Sequence, residues 1–230
     1  MSVPEIDIRF GGGTWRRSDK RYLAPIVSCA VDIAKDGINY YGIHTEQPKV
    51  AKVYLCGRNY PSAGESTGAT EFELNFRAVD VKRKKIFNNE LRRKHSVGTV
   101  FHELLHSVRS EYFEHDAIEE LIATEGISYV GAELLLDELG LGRKFASIPT
   151  PQNSMKYALT KEVLTAELLA DIDVLGSDTD HLVTTWIELN PNGTMPPGVF
   201  LGCLAVSDLL ASGAGLKDVV QMDAREILSI

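Results

Sequence analysis

The stretch that most constrains this chain runs from Thr99 to Ser107 and reads TVFHELLHS. His102 and His106 are four residues apart, so on an α-helix they would lie about 40° apart around the axis and one turn apart along it. Apolar residues recur here at spacings of three and four, which predicts a helix with one buried side; they are Val97, Phe101, Leu104, Leu105, Val108 and Tyr112. We therefore expect both imidazoles at the margin of that buried side.

The same stretch has the pattern H-E-x-x-H, which suits a metal site. Zn²⁺ takes neutral imidazole nitrogens in a tetrahedral shell, and a catalytic zinc site keeps one position for water. Glu103 follows His102 directly, so its carboxylate could take the proton of the bound water as that water attacks a carbonyl. The other interpretation is a surface helix with two solvated histidines, and the apolar stripe argues against it. We predict that His102 and His106 bind zinc and that Glu103 is the general base.

A third ligand has to come from elsewhere in the chain, because a catalytic zinc usually has three protein ligands. A metzincin would have glycine at position 109 and histidine at position 112, but this chain has Arg109 and Tyr112, which excludes that class. The other common ligand is a glutamate on the next helix. The candidates are Glu111, Glu114, Glu119, Glu120 and Glu125, of which the first two come too soon for the chain to turn back.

Glu125 is the favoured candidate, because it shares a predicted inward face with several apolar residues. No Lys or Arg lies three or four residues from it, so a bound metal would supply the missing positive charge. An arginine from a distant segment could also supply it. Glu119 and Glu120 are expected on the outer faces of the helix, and Gly126 predicts a close approach of two helices.

These residues carry a resemblance to a known class of enzymes. The run from His102 to Arg109, followed by Glu125 and Gly126, resembles the gluzincin arrangement of zinc peptidases. More narrowly, it is similar to the predicted zinc-dependent protease family DUF2268, whose pattern is H-E-x-x-H-x-x-R followed by E-G. The resemblance extends to segments 62–68, 197–202, 216–219 and 226–228. It implies a zincin-like fold, one Zn²⁺ per chain bound by His102, His106 and Glu125, and hydrolysis of a peptide or protein substrate.

Three further polar residues have open roles. Tyr129 and His181 are the candidate donors to the oxyanion of a tetrahedral intermediate, and nothing in the sequence chooses between them. Arg109 could orient a carboxylate near the metal or could anchor its helix to a nearby acidic residue. The alternative to a peptidase is a zinc-binding protein with an interaction or chaperone-like role. Its site would hold the metal without turning over peptides.

Charge and cysteine content exclude several other classes. The chain has 24 Lys and Arg against 32 Asp and Glu, a net charge of −8, which disfavours a nucleic acid as partner. The three cysteines, Cys29, Cys56 and Cys203, are too widely spaced to indicate a disulfide framework, and we expect buried, reduced thiols. With no signal peptide and no membrane-length apolar run, the prediction is a cytoplasmic protein without membrane contact. The oligomeric state is left open.

The pattern along the chain predicts an α+β fold with a small N-terminal sheet and a mostly helical remainder. Strands are expected at 6–10, 50–56 and 70–79, with a helix at 22–38 and a loop at 57–68. Further helices are expected at 89–112, 116–139, 155–175, 178–189, 198–210 and 224–230. We predict one metallopeptidase domain over 1–230, with possible lobes at 1–113 and 114–230. A peptide would add to the strand at 70–76 as the edge of the sheet.

Overall fold

The computed structural model describes residues 5–11, 15–56, 64–77, 90–141, 160–176, 179–188 and 195–230. The strands within these ranges are β1 (Ile6–Phe10), β2 (Lys49–Cys56), β3 (Gly64–Ser66) and β4 (Glu71–Arg77). The helices are α1 (Arg17–Tyr40), α2 (Glu90–Arg109), α3 (Ile118–Glu138), α4 (Lys161–Leu175), α5 (Thr179–Trp186), α6 (Pro197–Ala211), α7 (Leu216–Val220) and α8 (Ala224–Leu228). The predicted α+β class is confirmed, with the strands in the first part of the chain.

The chain divides into two compact units. The first consists of Met1–Glu111 with Gly131–Ala146, and it contains the sheet, α1, α2 and the end of α3. The second consists of Tyr112–Val130 with Ser147–Ile230, and it contains the beginning of α3 and the helices from α4 onward.

The sheet has the strand order β1-β2-β4-β3. Strands β1, β2 and β4 are parallel, and β3 is antiparallel to β4. Alternate residues of the central strands are buried, as the apolar alternation of the sequence predicts; they are Ala51, Val53, Phe72 and Leu74. The sheet thereby supplies one wall of the core of the first unit.

The prediction that β4 forms the edge of the sheet is wrong. Gly64, Glu65 and Ser66 pair with Leu74, Glu73 and Phe72, so β3 covers β4 on the side away from β2. This short strand lies within the segment expected to be a loop. Its three residues have no apolar alternation, so the ladder with β4 and not local propensity fixes its conformation.

The helices follow the predicted pattern with shifted ends. Helix α1 begins five residues earlier than expected, and the short helix α7 was not predicted. The first residues of the predicted helix at 155–175 fall outside the described ranges. Among the described helices, none combines the length and apolarity that a membrane span requires. Cys203 is buried as expected, but Cys29 lies on the exposed side of α1, which corrects the prediction of a buried thiol.

The predicted close approach at Gly126 is confirmed, and its partner is α6. A Cβ atom built on Gly126 would lie 2.3 Å from the carbonyl carbon of Gly202. A Cβ atom on Gly202 would in turn lie 2.2 Å from the carbonyl oxygen of Ile122. Because these neighbours are backbone atoms, neither contact can be relieved by a change of rotamer. Two glycines therefore bring the backbones of α3 and α6 together next to Glu125.

Gly126→Ala should therefore destabilise the protein strongly. Forcing α3 and α6 apart should cost about 3 kcal/mol, the upper end of the range for overpacked cores. For a chain of this size that corresponds to a fall in Tm of about 6–12 °C, which thermal unfolding would measure. Ser207→Ala on the exposed side of α6 is the control and should stay within about 0.5 kcal/mol of wild type. Equal Tm values for the two variants would contradict a tight backbone contact.

Candidate metal centre

Helix α2 presents the two motif histidines toward one another. Their Nε2 atoms lie 3.0 Å apart, and the ring centroids are 4.7 Å apart. His102 is buried and His106 is half-buried, whereas Phe101, Leu104 and Leu105 anchor the apolar side of the helix in the core. Because residues four apart lie one above the other on a helix, the two imidazole rings can bring their nitrogens together.

Glu125 on α3 completes a group of three potential ligands. One ligand atom from each of His102, His106 and Glu125 lies within 4.8 Å of the other two. In a tetrahedral zinc shell with bonds of 2.0–2.2 Å, neighbouring ligand atoms are about 3.3–3.6 Å apart. The two Nε2 atoms are slightly closer than this, and all three ligand atoms lie within 4.8 Å of one another, so the donor set is compatible with a metal ion.

The chemistry of the donor set also matters. Two imidazoles and one carboxylate are a combination found at catalytic zinc ions, whereas closed structural sites have four protein ligands, commonly including cysteine. Within the described ranges, the His, Cys, Asp or Glu side chains that lie close enough together to hold a metal are those of His102, His106 and Glu125. The arrangement therefore matches an open site better than a closed one.

Glu103 lies beside the histidine pair. Its Oε1 atom is 3.9 Å from Nε2 of His102. This distance is too long for a direct hydrogen bond but short enough for one water molecule to contact both atoms. The side chain is about 7% exposed, so the carboxylate is shielded from bulk solvent. Glu103 is thus near the nitrogen that would bind a metal without being a member of the ligand group.

The two glutamates that precede Glu125 on α3 are buried, which corrects the expectation that they lie on the surface. Glu119 forms an ion pair of 3.2 Å with Arg225, and Glu120 accepts a hydrogen bond of 2.9 Å from the hydroxyl of Thr124. These partners satisfy the carboxylates within the fold. The Arg225 pair spans 106 residues, so local sequence patterns could not reveal it.

The three other polar residues considered from the sequence lie on three different helices. Tyr129 is half-buried one turn beyond Glu125 on α3, and His181 is exposed on α5. Arg109 is fully buried at the end of α2. Burial of a guanidinium fits either of the two roles considered for Arg109, so the choice between them stays open.

A polar network at the end of α2 escaped prediction. The buried ammonium of Lys49 donates to Glu111, to the carbonyl of Ala69 and, over 3.3 Å, to the carbonyl of Ser107. The hydroxyl of Ser107 donates to the same Ala69 carbonyl over 3.1 Å. Lys49 and Glu111 are 62 residues apart, and no local sequence signal links them. Glu111 is therefore an ion-pair partner of a buried lysine.

Glu111 is held as a carboxylate by several donors. Burial raises the pKa of the Glu111 carboxyl, but hydrogen bonds from Lys49, from the Thr45 hydroxyl and from the backbone amide of Glu46 more than offset this. The net result is a pKa below the usual glutamate value. The Thr45 and Glu46 contacts are 2.5 and 2.8 Å long. Burial lowers the pKa of the Lys49 ammonium, and the stabilisation from the pair is lost on the acid side as the pH falls through the lowered pKa of Glu111.

Comparisons of this chain with protein-family models, curated proteins and solved structures found no significant match.

Proposed function

We propose that this chain is a zinc-dependent peptidase of the gluzincin type with a zincin-like fold. The observation that carries the proposal is the convergence of His102, His106 and Glu125 within 4.8 Å, with the Glu103 carboxylate 3.9 Å from His102. The four side chains include two imidazole ligands, one carboxylate ligand and a separate carboxylate that can accept a proton. Family membership in DUF2268 is part of the same proposal and rests on the H-E-x-x-H-x-x-R and E-G patterns.

Zinc, when bound, supplies a Lewis acid that polarises a carbonyl oxygen and lowers the pKa of water to about 7. The remaining chemistry belongs to the chain. Glu103 accepts a proton as the water oxygen forms its bond to the carbonyl carbon of the scissile peptide. The same carboxyl then delivers that proton to the leaving nitrogen as the carbon–nitrogen bond breaks. Burial of Glu103 keeps bulk water from competing for this proton.

A peptide substrate would bind as an added strand at the outer edge of β3. Among the described strands, β3 pairs with β4 alone and is the outermost strand of the sheet. Backbone hydrogen bonds to an edge strand fix an extended peptide without requiring particular side chains. The substrate-binding strand is thus assigned to β3 in place of the strand at 70–76.

Metal content tests the first half of the proposal. The purified chain should contain about one zinc ion, and His106→Ala should abolish this, because two remaining ligands do not hold zinc tightly. Elemental analysis of both proteins measures the difference. His181→Ala, which changes an exposed histidine outside the ligand group, is the control and should retain the zinc. Unchanged zinc in His106→Ala would refute the site.

Digestion of a peptide library tests the second half. The zinc-loaded chain should release new amino termini, and removal of the metal with a chelator followed by zinc addition should abolish and then restore cleavage. A chain that binds zinc and cleaves nothing would instead support the zinc-binding interaction protein, in which the same residues hold the metal without turnover.

A further inference from the structure

We infer that Lys49 is a positioning residue for His106, acting through the last turn of α2. The inference rests on the proposed metal site, since it concerns how the chain holds one of the ligands of that site. Lys49 is the first residue of β2 and its side chain is fully buried. A buried ammonium without a solvent contact is costly, so its hydrogen bonds determine where it can be tolerated. All three of its acceptors lie around the end of α2 or the residues before β4.

The Lys49 ammonium contacts the C-terminal end of α2. The last carbonyls of any α-helix have no N–H donor within it. Here the backbone amide of Glu111 donates to Val108 over 3.0 Å and not to Ser107. The carbonyl of Ser107 accepts from the Lys49 ammonium. The ammonium of Lys49, on strand β2, therefore caps the C-terminal end of α2. Its positive charge lies at the negative end of the helix dipole.

The capped residue, Ser107, is the chain neighbour of His106. Ser107 directly follows His106, and its two oxygens are both held: the carbonyl by Lys49 and the hydroxyl by its bond to Ala69. Lys49 also donates to Ala69, so one ammonium fixes both ends of that link. Just beyond, the Ser110 amide and hydroxyl both donate to the His106 carbonyl, over 3.0 and 2.9 Å. The backbone that carries the His106 ring is thus held on its C-terminal side, at the His106 carbonyl and at Ser107.

The helix cap and the ion pair use different acceptors of the same ammonium. The ammonium has three protons and three acceptors, of which Glu111 supplies charge and the two carbonyls supply position. Glu111→Gln removes the charge but leaves an oxygen acceptor and the two carbonyl bonds in place. Lys49→Met keeps most of the aliphatic stem and removes all three bonds. The two variants therefore distinguish loss of stability from loss of position.

Zinc titration against a competing chelator tests the inference on folded protein. Lys49→Met should bind zinc about 10- to 100-fold more weakly, the effect expected when an orienting partner of a ligand is lost. Glu111→Gln should lower the Tm yet bind zinc within about threefold of wild type, well below that effect. Lys52→Met is the matched control: Lys52 lies on the same strand, pairs with Glu71 over 2.6 Å and is not part of the network, so its zinc affinity should be unchanged.

A double variant keeps the test decisive if Lys49→Met folds poorly. Lys49→Met with Glu111→Met replaces a buried ion pair by two apolar chains, an exchange that often restores stability. We expect a recovered Tm with zinc binding still weakened and with faster amide hydrogen exchange at residues 107–110 in the metal-free chain. Recovery of zinc affinity together with the Tm would overturn the positioning role. A wild-type chain that takes up no zinc would overturn the proposed function as well, whereas equal zinc affinity in wild type and Lys49→Met would overturn the positioning role alone.

Discussion

Glu103→Gln should retain zinc and lose about 10²- to 10⁴-fold in kcat, the range expected when a general base is removed. The substitution keeps the size of the side chain and its ability to accept hydrogen bonds, but an amide cannot take a proton from the attacking water. Oε1 of Glu103 is 3.9 Å from Nε2 of His102 and lies outside the ligand group, so the metal shell should be unaffected. Zinc content and kcat, measured on the same preparation, provide the test.

A matched control for this variant is Glu114→Gln, which makes the same chemical change at an exposed position after α2. It should leave both zinc content and turnover unchanged. Loss of zinc and turnover together in Glu103→Gln would mean that Glu103 maintains the site and does not act as a base. Full turnover in Glu103→Gln would remove it from the mechanism.

The features of this chain that sequence predicts best are those set by local periodicity. The apolar spacing around His102 predicts α2, and the same spacing predicts α3. The predicted inward position of Glu125 is wrong, because Glu125 lies with Leu121 and Tyr129 on a half-buried stripe of α3. Gly126 predicts a close helix contact, because glycine inside a helix is costly unless a backbone has to approach. A helix fixes the relative directions of residues three to five apart, so the convergence of His102 and His106 follows from spacing alone.

The features that sequence does not predict depend on partners outside the element concerned. Strand β3 forms by pairing with β4, and the buried Glu119 pairs with Arg225 from a much later segment. The same holds for Lys49, whose pairing with Glu111 depends on how β2 and the end of α2 meet. A lysine at the start of a strand is usually solvated, and only the fold shows that this one is enclosed. Pairings across 60 or more residues leave no periodic trace.

Glu125→Ala should weaken zinc binding by at least about 100-fold, more than the loss of a residue that only orients a ligand costs, and should abolish turnover. Glu120→Ala should leave zinc affinity close to wild type. The two glutamates are five residues apart on α3, which separates their directions by about 140° around the axis. Glu125 lies in the ligand group with the two histidines, whereas Glu120 accepts a hydrogen bond from Thr124 within its own helix.

Burial makes this contrast informative, because Glu120 is more enclosed than Glu125 and its removal costs stability as well. Losing the bond from Thr124 should destabilise the fold by about 1 kcal/mol, and Glu120→Gln, which keeps an acceptor, should recover most of that. Zinc titration with a competing chelator on folded protein separates affinity from stability. If Glu120→Ala releases the metal and Glu125→Ala does not, the ligand on α3 is misassigned. In that case the gluzincin interpretation of this helix would fail even with His102 and His106 bound to zinc.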